Sequence, residues 1–137
     1  MKNSSTSKSN IAPVALFVYN RPVHTSQTLN ALKKNALSSE TEIYVFSDGP
    51  KNEKDSEKVN QIRNQIRNLK GFKKVNLIQR DDNYGLARNI VSGITRLCDK
   101  YGKVIVIEDD IITSEDFLQY MNKSLNYFEK DKSVMQI

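Results

Sequence analysis

The sequence contains one cysteine, one histidine and no tryptophan in 137 residues. Because Cys98 is alone, the chain cannot form an intramolecular disulfide, and Cys98 with His24 cannot supply the ligands of a Cys/His zinc site. A metal ion would therefore have to be bound by carboxylates. No apolar run approaches the ~18 residues of a membrane-spanning helix, and the N-terminus has no signal-peptide core, so we expect a cytoplasmic protein.

Two nucleotide-binding motifs are also absent. The lack of G-x-x-x-x-G-K-[ST] argues against a P-loop hydrolase, and the lack of G-x-G-x-x-G argues against dinucleotide-dependent hydride transfer. The net charge of +5 is compatible with a nucleic acid or a membrane surface as partner. However, the basic residues between Lys51 and Lys74 have helical spacing and no aromatic ladder for base stacking. We interpret them as a solvated helix face and expect no nucleic-acid partner, while peripheral membrane association stays open.

Short β-branched or aromatic runs alternate with helical periodicity from Pro13 onward, at intervals of roughly thirty residues, which is typical of βα units. We predict an α/β fold with a mostly parallel sheet, helices on both faces and a Rossmann-like nucleotide-binding arrangement. The predicted strands are 14–19, 42–47, 75–79 and 103–107. Helices are predicted over 25–35, over the apolar stripe Val59, Ile62, Ile66 and Leu69, over the stripe Leu86, Ile90, Ile94 and Leu97, and over 114–130 with Ser114 as N-cap.

The two ends of the sequence differ in character. Residues 1–12 are mostly polar and aperiodic, so we predict a disordered tail, with 13–137 forming one domain. The last residues, 134–137, resemble the opening of a fifth strand. We therefore expect the domain to be incomplete at its C-terminus.

Polar residues follow each predicted strand, where parallel α/β sheets bind their ligands. They are Asn20 and Arg21 after the first strand, Asp48 after the second, 80–83 after the third, and Glu108, Asp109 and Asp110 after the fourth. We expect these four sets to converge on one crevice.

The run Glu108-Asp109-Asp110 is the strongest single feature, because three adjacent carboxylates beside an apolar strand repel one another. A hard cation such as Mg²⁺ or Mn²⁺ would relieve this repulsion and takes oxygen ligands from carboxylates and phosphates. The alternative is that the three acids cap the following helix and stay solvated.

The other candidates each have two interpretations. Asp48 precedes Gly49-Pro50 and is either a turn-forming side chain or a carboxylate that accepts the imide N–H of a base such as uracil. Arg21 is either a surface residue or a contact to a base or diphosphate. Arg88 and Asn89 lie in the first turn of a predicted helix, where anions bind favourably, but they could equally be local capping residues.

Four segments carry a family resemblance: ALFVYNRP, VFSDGP, RDDNYGLARNI and VIVIEDD, in that order. Together they resemble the donor-binding half of GT-A fold glycosyltransferases over most of 13–137. The similarity is greatest to family 2-like bacterial sugar transferases, and the EDD segment is also similar to N-acetylglucosaminyltransferase I.

The resemblance implies transfer of a sugar from a nucleotide-sugar, UDP-linked, to a glycan or glycoconjugate acceptor. Asn20 and Arg21 would then lie at the nucleotide, Asp48 at the uracil, and Arg88 and Asn89 near the diphosphate and sugar. Asp110 would bind Mn²⁺ or Mg²⁺ in the family's DxD position, with Glu108 and Asp109 near the sugar or ribose.

The same resemblance implies that the acceptor-binding half and the catalytic base lie beyond Ile137, so this chain alone should bind nucleotide with little or no transfer. Two alternatives remain open: a sugar nucleotidyltransferase-like enzyme, and a non-catalytic interaction domain.

Overall fold

Four parallel strands form the sheet in the computed structural model, which describes residues 10–137. They are β1 (Val14–Val18), β2 (Glu42–Ser47), β3 (Lys74–Gln79) and β4 (Ile105–Glu108), in the spatial order β3-β2-β1-β4. The chain moves outward from β1 through β2 to β3 and then crosses back to the other side of β1. The strand order therefore reverses between β1 and β4, and such a reversal opens a crevice at the carboxyl ends of the strands.

Helices cover both faces of the sheet, as predicted. They are α1 (Pro22–Lys33), α2 (Glu53–Arg67), α3 (Leu86–Tyr101) and α4 (Phe117–Phe128), with a short 3-10 turn at Ser38–Glu40. Because strand side chains alternate between faces, Leu16 packs with α1, α2 and α4, whereas Phe17 packs with α3. The fold class is therefore an α/β sheet with three helices on one face and one on the other.

Helix α3 approaches the sheet closely through Gly93. A Cβ atom at this position would lie 2.8 Å from Cε1 and Cζ of Phe17 and 3.2 Å from Cε1 of Phe46. The two rings are buried and stacked with their centroids 5.0 Å apart. Glycine thus sets the distance between α3 and the strands, and with it the position of the helix start near the crevice.

The N-terminal half differs from the predicted boundaries in small ways. Helix α1 starts at Pro22 instead of residue 25, because proline at the first helical position has a preset φ and lacks an N–H that would be unpaired there. Strand β1 ends at Val18, one residue before the predicted end. Within the predicted tail 1–12, residues 1–9 lie outside the described residues, and Ala12 is buried with its N–H donated to Asn122 Oδ1 at 2.8 Å.

The C-terminal half contains two wrong predictions. Ser114 is not the N-cap of α4, since the helix starts at Phe117 after Asp116, and the Ser114 hydroxyl donates to the Asp116 carboxylate. Residues 134–137 form no strand; the backbone N–H of Val134 instead donates to the Asp131 carbonyl in a turn. Strand β4 is also shifted to Ile105–Glu108, so Glu108 belongs to the strand. None of the helices over residues 10–137 is both long and apolar enough to cross a membrane.

Candidate functional site

A crevice opens where β1, β2 and β4 end. Six of the eight residues predicted for the site line it: Asn20, Arg21, Asp48, Asn89, Glu108 and Asp109. Arg88 and Asp110 are not part of its wall. The wall also contains residues that the sequence did not single out as ligand contacts, among them Tyr19, Lys51 and Leu86.

Arg21 connects the end of β1 to the acidic run after β4. Its guanidinium forms an ion pair with Asp109 and a second one with Asp110, whose Oδ2 lies 3.2 Å from Nη1. Strands β1 and β4 are neighbours, with Phe17 opposite Glu108, and this places the two segments side by side. The repulsion expected within the acidic run is therefore relieved, in part, by an arginine of the chain itself.

The two carboxylates that Arg21 contacts have different surroundings. The Asp109 side chain is 4% exposed and that of Asp110 is 45% exposed. Burial raises the pKa of Asp109, and the neighbouring Arg21 opposes this shift. Burial also lowers the pKa of Arg21, but the two carboxylates outweigh that effect and raise it above its usual value. Asp109 is thus a buried wall residue, whereas Asp110 faces solvent.

The donor set for a metal ion is small. Across residues 10–137 there is no group of three or more His, Cys, Asp or Glu side chains placed to hold a metal. Mg²⁺ commonly binds proteins through one or two carboxylates and takes its remaining ligands from water and substrate phosphates. An exposed carboxylate such as Asp110 fits a metal ion of this substrate-borne kind and does not fit a permanently held structural ion.

Asp48 is buried at the end of β2, and its carboxylate holds the loop that precedes α3. Oδ1 accepts from the backbone N–H groups of Gly49 (2.9 Å) and Tyr84 (2.8 Å), and Oδ2 accepts from that of Gly85 (3.0 Å) and from Asn83 Nδ2 (3.3 Å). A carboxylate offers about four acceptor positions, so Gly49 and the 83–85 loop together use all of them. A base N–H would have to replace one of these donors, and the Asn83 amide forms the longest of the four bonds.

The loop lies so close to the β2 end that only glycine fits at residue 49. A Cβ on Gly49 would lie 2.5 Å from the backbone carbonyl carbon and oxygen of Asp82. Real Cβ atoms do not approach backbone this closely, so the Gly49-Pro50 segment and the 80–85 loop pack backbone against backbone. The sequence predicts a turn at Gly49, but it does not predict the contact of Gly49 with the backbone of Asp82.

Arg63 corrects the interpretation of the basic segment 51–74 as a purely solvated face. Its Nε donates to Ser47 Oγ at 3.0 Å, and its Nη2 donates to the carbonyls of Asp48 at 3.3 Å and Arg80 at 2.7 Å. Burial lowers the pKa of Arg63. This side chain links the ends of β2 and β3.

Asn89 and Arg88 have different positions although they are adjacent. Asn89 is buried, accepts from Arg80 Nε at 3.3 Å and lines the crevice. The exposed Arg88 guanidinium lies over the Tyr84 ring, 4.4 Å from its centroid, and Arg80 lies 4.7 Å from the same centroid. The structure therefore places Arg88 on an aromatic side chain outside the crevice wall.

Comparisons with known proteins agree on the type of fold. The crystal structure of S. aureus TarS aligns with 85% of this chain at 17% sequence identity and a TM-score of 0.61. The aligned part is 20% of the TarS chain, so the present chain spans about a fifth of that protein. A search of curated proteins gave no match.

The family comparison covers the whole sequence. The model of the GNT-I family matches residues 1–137, which confirms the resemblance to GT-A-like glycosyltransferases carried by the four segments. The crevice at the strand-order reversal, with its acidic run at the end of β4, lies where those segments meet. The chain therefore belongs to the GNT-I family of glycosyltransferases.

Proposed function

We propose that this domain binds the donor of a glycosyl transfer reaction, a UDP-linked sugar, together with Mn²⁺ or Mg²⁺. The observation that carries the proposal is the ion-paired group of Arg21, Asp109 and Asp110 at the reversal of strand order. It combines a cation that suits a diphosphate with an exposed carboxylate that suits a divalent metal. A nucleotide with two phosphates and a metal ion complements both.

The crevice wall supplies contacts for the rest of the donor. The Tyr19 ring offers an aromatic face and Asn20 an amide for a base, while Asp48 shapes the adjacent loop and remains our candidate for the uracil N–H. Glu108 and Asp109, the two members of the acidic run that line the wall, are assigned to the sugar or ribose. Asn89 is assigned to the diphosphate and sugar from within the crevice.

Arg88 requires a movement to act on the donor. Its guanidinium stacks on Tyr84 in the structure, and a rotation of its long side chain away from the ring would be needed to reach a diphosphate. We keep Arg88 as a donor contact that forms on binding.

Asp110 is the proposed metal ligand. A bound Mn²⁺ or Mg²⁺ supplies Lewis-acid stabilisation of the departing nucleoside diphosphate. The chain's own residues orient this carboxylate: Arg21 holds one oxygen of Asp110 and keeps the neighbouring Asp109 charge compensated.

The acceptor, a glycan or glycoconjugate, is assigned to a part of the enzyme other than this crevice. None of the residues described at the crevice is assigned as the base that removes the proton of the acceptor hydroxyl. We accordingly propose donor binding, without complete transfer, for residues 1–137.

Calorimetric titration of UDP tests the proposal, with and without Mn²⁺, on the wild type and on Asp110→Asn. We expect metal-dependent binding in the wild type and loss of the metal dependence in the variant. Asp99→Asn, which changes an exposed acid on α3, is the matched control and should bind like the wild type. A folded wild-type chain that does not bind UDP with Mn²⁺, or an Asp110→Asn variant that binds equally well, would contradict the proposal.

A further inference from the structure

Another acidic side chain, Asp55, is connected to the crevice through hydrogen bonds with two of its wall residues. Asp55 lies in the first turn of α2, and its carboxylate is not part of the wall. Oδ2 accepts from the Tyr19 hydroxyl at 2.6 Å, and Oδ1 accepts from Asn20 Nδ2 at 2.8 Å. Both donors belong to residues that line the crevice.

The same group reaches a third wall residue through Tyr19. The backbone N–H of Lys51 donates to the Tyr19 hydroxyl at 3.2 Å, and the Lys51 ammonium lies 6.0 Å from the centroid of the Tyr19 ring. Asp55 thus joins the segment after β1 to the segment after β2. Tyr19 and Asn20, both in the segment after β1, are 36 and 35 residues from Asp55 in sequence, so this connection is tertiary.

The pKa shifts of Asp55 and Tyr19 show which of the two groups donates the hydrogen bond between them. The hydrogen bonds from Tyr19 and Asn20 lower the pKa of Asp55, so this carboxylate is ionised at neutral pH. Burial raises the pKa of Tyr19, and its hydrogen bond to Asp55 raises it further, so the phenol keeps its proton. The first-turn position on α2 also favours a negative charge.

We propose that Asp55 is a positioning residue for the donor pocket, because it holds the Tyr19 ring, the Asn20 amide and the Lys51 backbone in the arrangement that meets the nucleotide. This inference rests on the proposed function. Asp55 itself does not reach the crevice. Its role is to fix the orientation of the Tyr19 and Asn20 side chains at the end of β1.

The chain offers a matched control on the same helix. Glu53 is also an acid in the first turn of α2, but it is exposed and forms none of these contacts. Glu53→Ala therefore removes a helix-dipole interaction of the same kind without disturbing Tyr19 or Asn20. Tyr19→Phe keeps the ring and deletes only the hydroxyl that joins Asp55 to Lys51.

The first measurement needs no nucleotide. The chain is labelled with ¹³C at Cζ of tyrosine, and the titration of Tyr19 is followed by NMR in the wild type, Asp55→Ala and Glu53→Ala. The Tyr19 pKa should fall in Asp55→Ala and stay unchanged in Glu53→Ala. An unchanged Tyr19 pKa in Asp55→Ala would overturn the contact on which the inference rests.

The second measurement is UDP titration in the presence of Mn²⁺, with thermal unfolding of each variant as the fold check. Loss of charge-assisted hydrogen bonds that orient two contacts should weaken UDP binding about tenfold in Asp55→Ala. Tyr19→Phe should be weakened less and Glu53→Ala should bind like the wild type.

The outcomes separate this inference from the proposed function. UDP binding within twofold of wild type in a folded Asp55→Ala variant would overturn the positioning role and leave the proposed function standing. If the wild type itself does not bind UDP, the proposed function fails and the positioning role fails with it, whatever the tyrosine titration shows.

Discussion

The close contact between α3 and the sheet at Gly93 predicts an unusual response to Gly93→Ala. In an exposed helix position, this change would stabilise the protein by about 1 kcal/mol, because alanine has the higher helix propensity. Here the new Cβ would lie 2.8 Å from two atoms of the Phe17 ring, whereas carbon atoms pack comfortably at about 3.5–4.0 Å. The helix or the ring must therefore move by about 0.7 Å at least.

The expected magnitude follows from these opposing effects. Overpacking costs about 1–3 kcal/mol, and the upper part of that range applies because Phe17 and Phe46 are stacked and buried and have no space to turn away. Subtracting about 1 kcal/mol for helix propensity leaves a net destabilisation of about 1–2 kcal/mol, or roughly 3–10 °C in Tm.

A double-mutant cycle with Phe17→Leu isolates the cause. Stability is measured by urea denaturation for the wild type, both single variants and the double variant. The smaller leucine relieves the 2.8 Å contacts but not the one with Phe46, so Gly93→Ala should be less destabilising in the Phe17→Leu background than in the wild type. The reasoning is refuted if Gly93→Ala stabilises the wild-type background, or if it has the same effect in both backgrounds.

Two further variants test the crevice wall. Asp48→Asn replaces an acceptor by an amide donor opposite the Gly85 N–H and the Asn83 amide, so it should lower stability by about 1–3 kcal/mol and speed amide hydrogen exchange at Tyr84 and Gly85; unchanged exchange at both amides would contradict the assignment. Arg21→Gln removes the group that opposes the upward pKa shift of Asp109, so that pKa should rise further in an NMR titration. A carboxyl whose pKa is higher in the folded than in the unfolded protein destabilises the fold as the pH rises from the unfolded pKa through the folded pKa. Arg21→Gln should therefore lose more stability than the wild type as pH rises from about 4 to 7; parallel curves of stability against pH would contradict this.

The fold could be predicted from the sequence because its main signals are local. Strand β2 is predicted over 42–47, which is its observed range, since a short run of β-branched and aromatic residues ends there at the turn Asp48-Gly49-Pro50. The start of α3 was predicted from the stripe that begins at Leu86. Ser114 was misassigned because its hydroxyl pairs with Asp116, and sequence alone does not show which of two nearby polar residues caps a helix.

The site was predictable where it depends on the strands being parallel, and not where it depends on the order of the strands in the sheet. Placing polar residues at the ends of parallel strands brought six of the eight candidates to one crevice. The ion pairs of Arg21 could not be foreseen, because they depend on β4 lying beside β1 and not beside β3. Asp55 and Arg63 were missed for a similar reason: each is a polar residue on an amphipathic helix, and only the tertiary structure shows that it faces inward toward loops.

The three hydrogen bonds that the 83–85 loop donates to Asp48 also determine when this loop becomes ordered. Because these bonds form within the chain, the conformational entropy of the loop is lost during folding, and ligand association does not have to include that loss. Affinity for the ligand is thereby linked to the stability of the free protein. A substitution far from the crevice that loosens β2 against α3 should weaken binding by populating open loop conformers, even where every contact residue is unchanged.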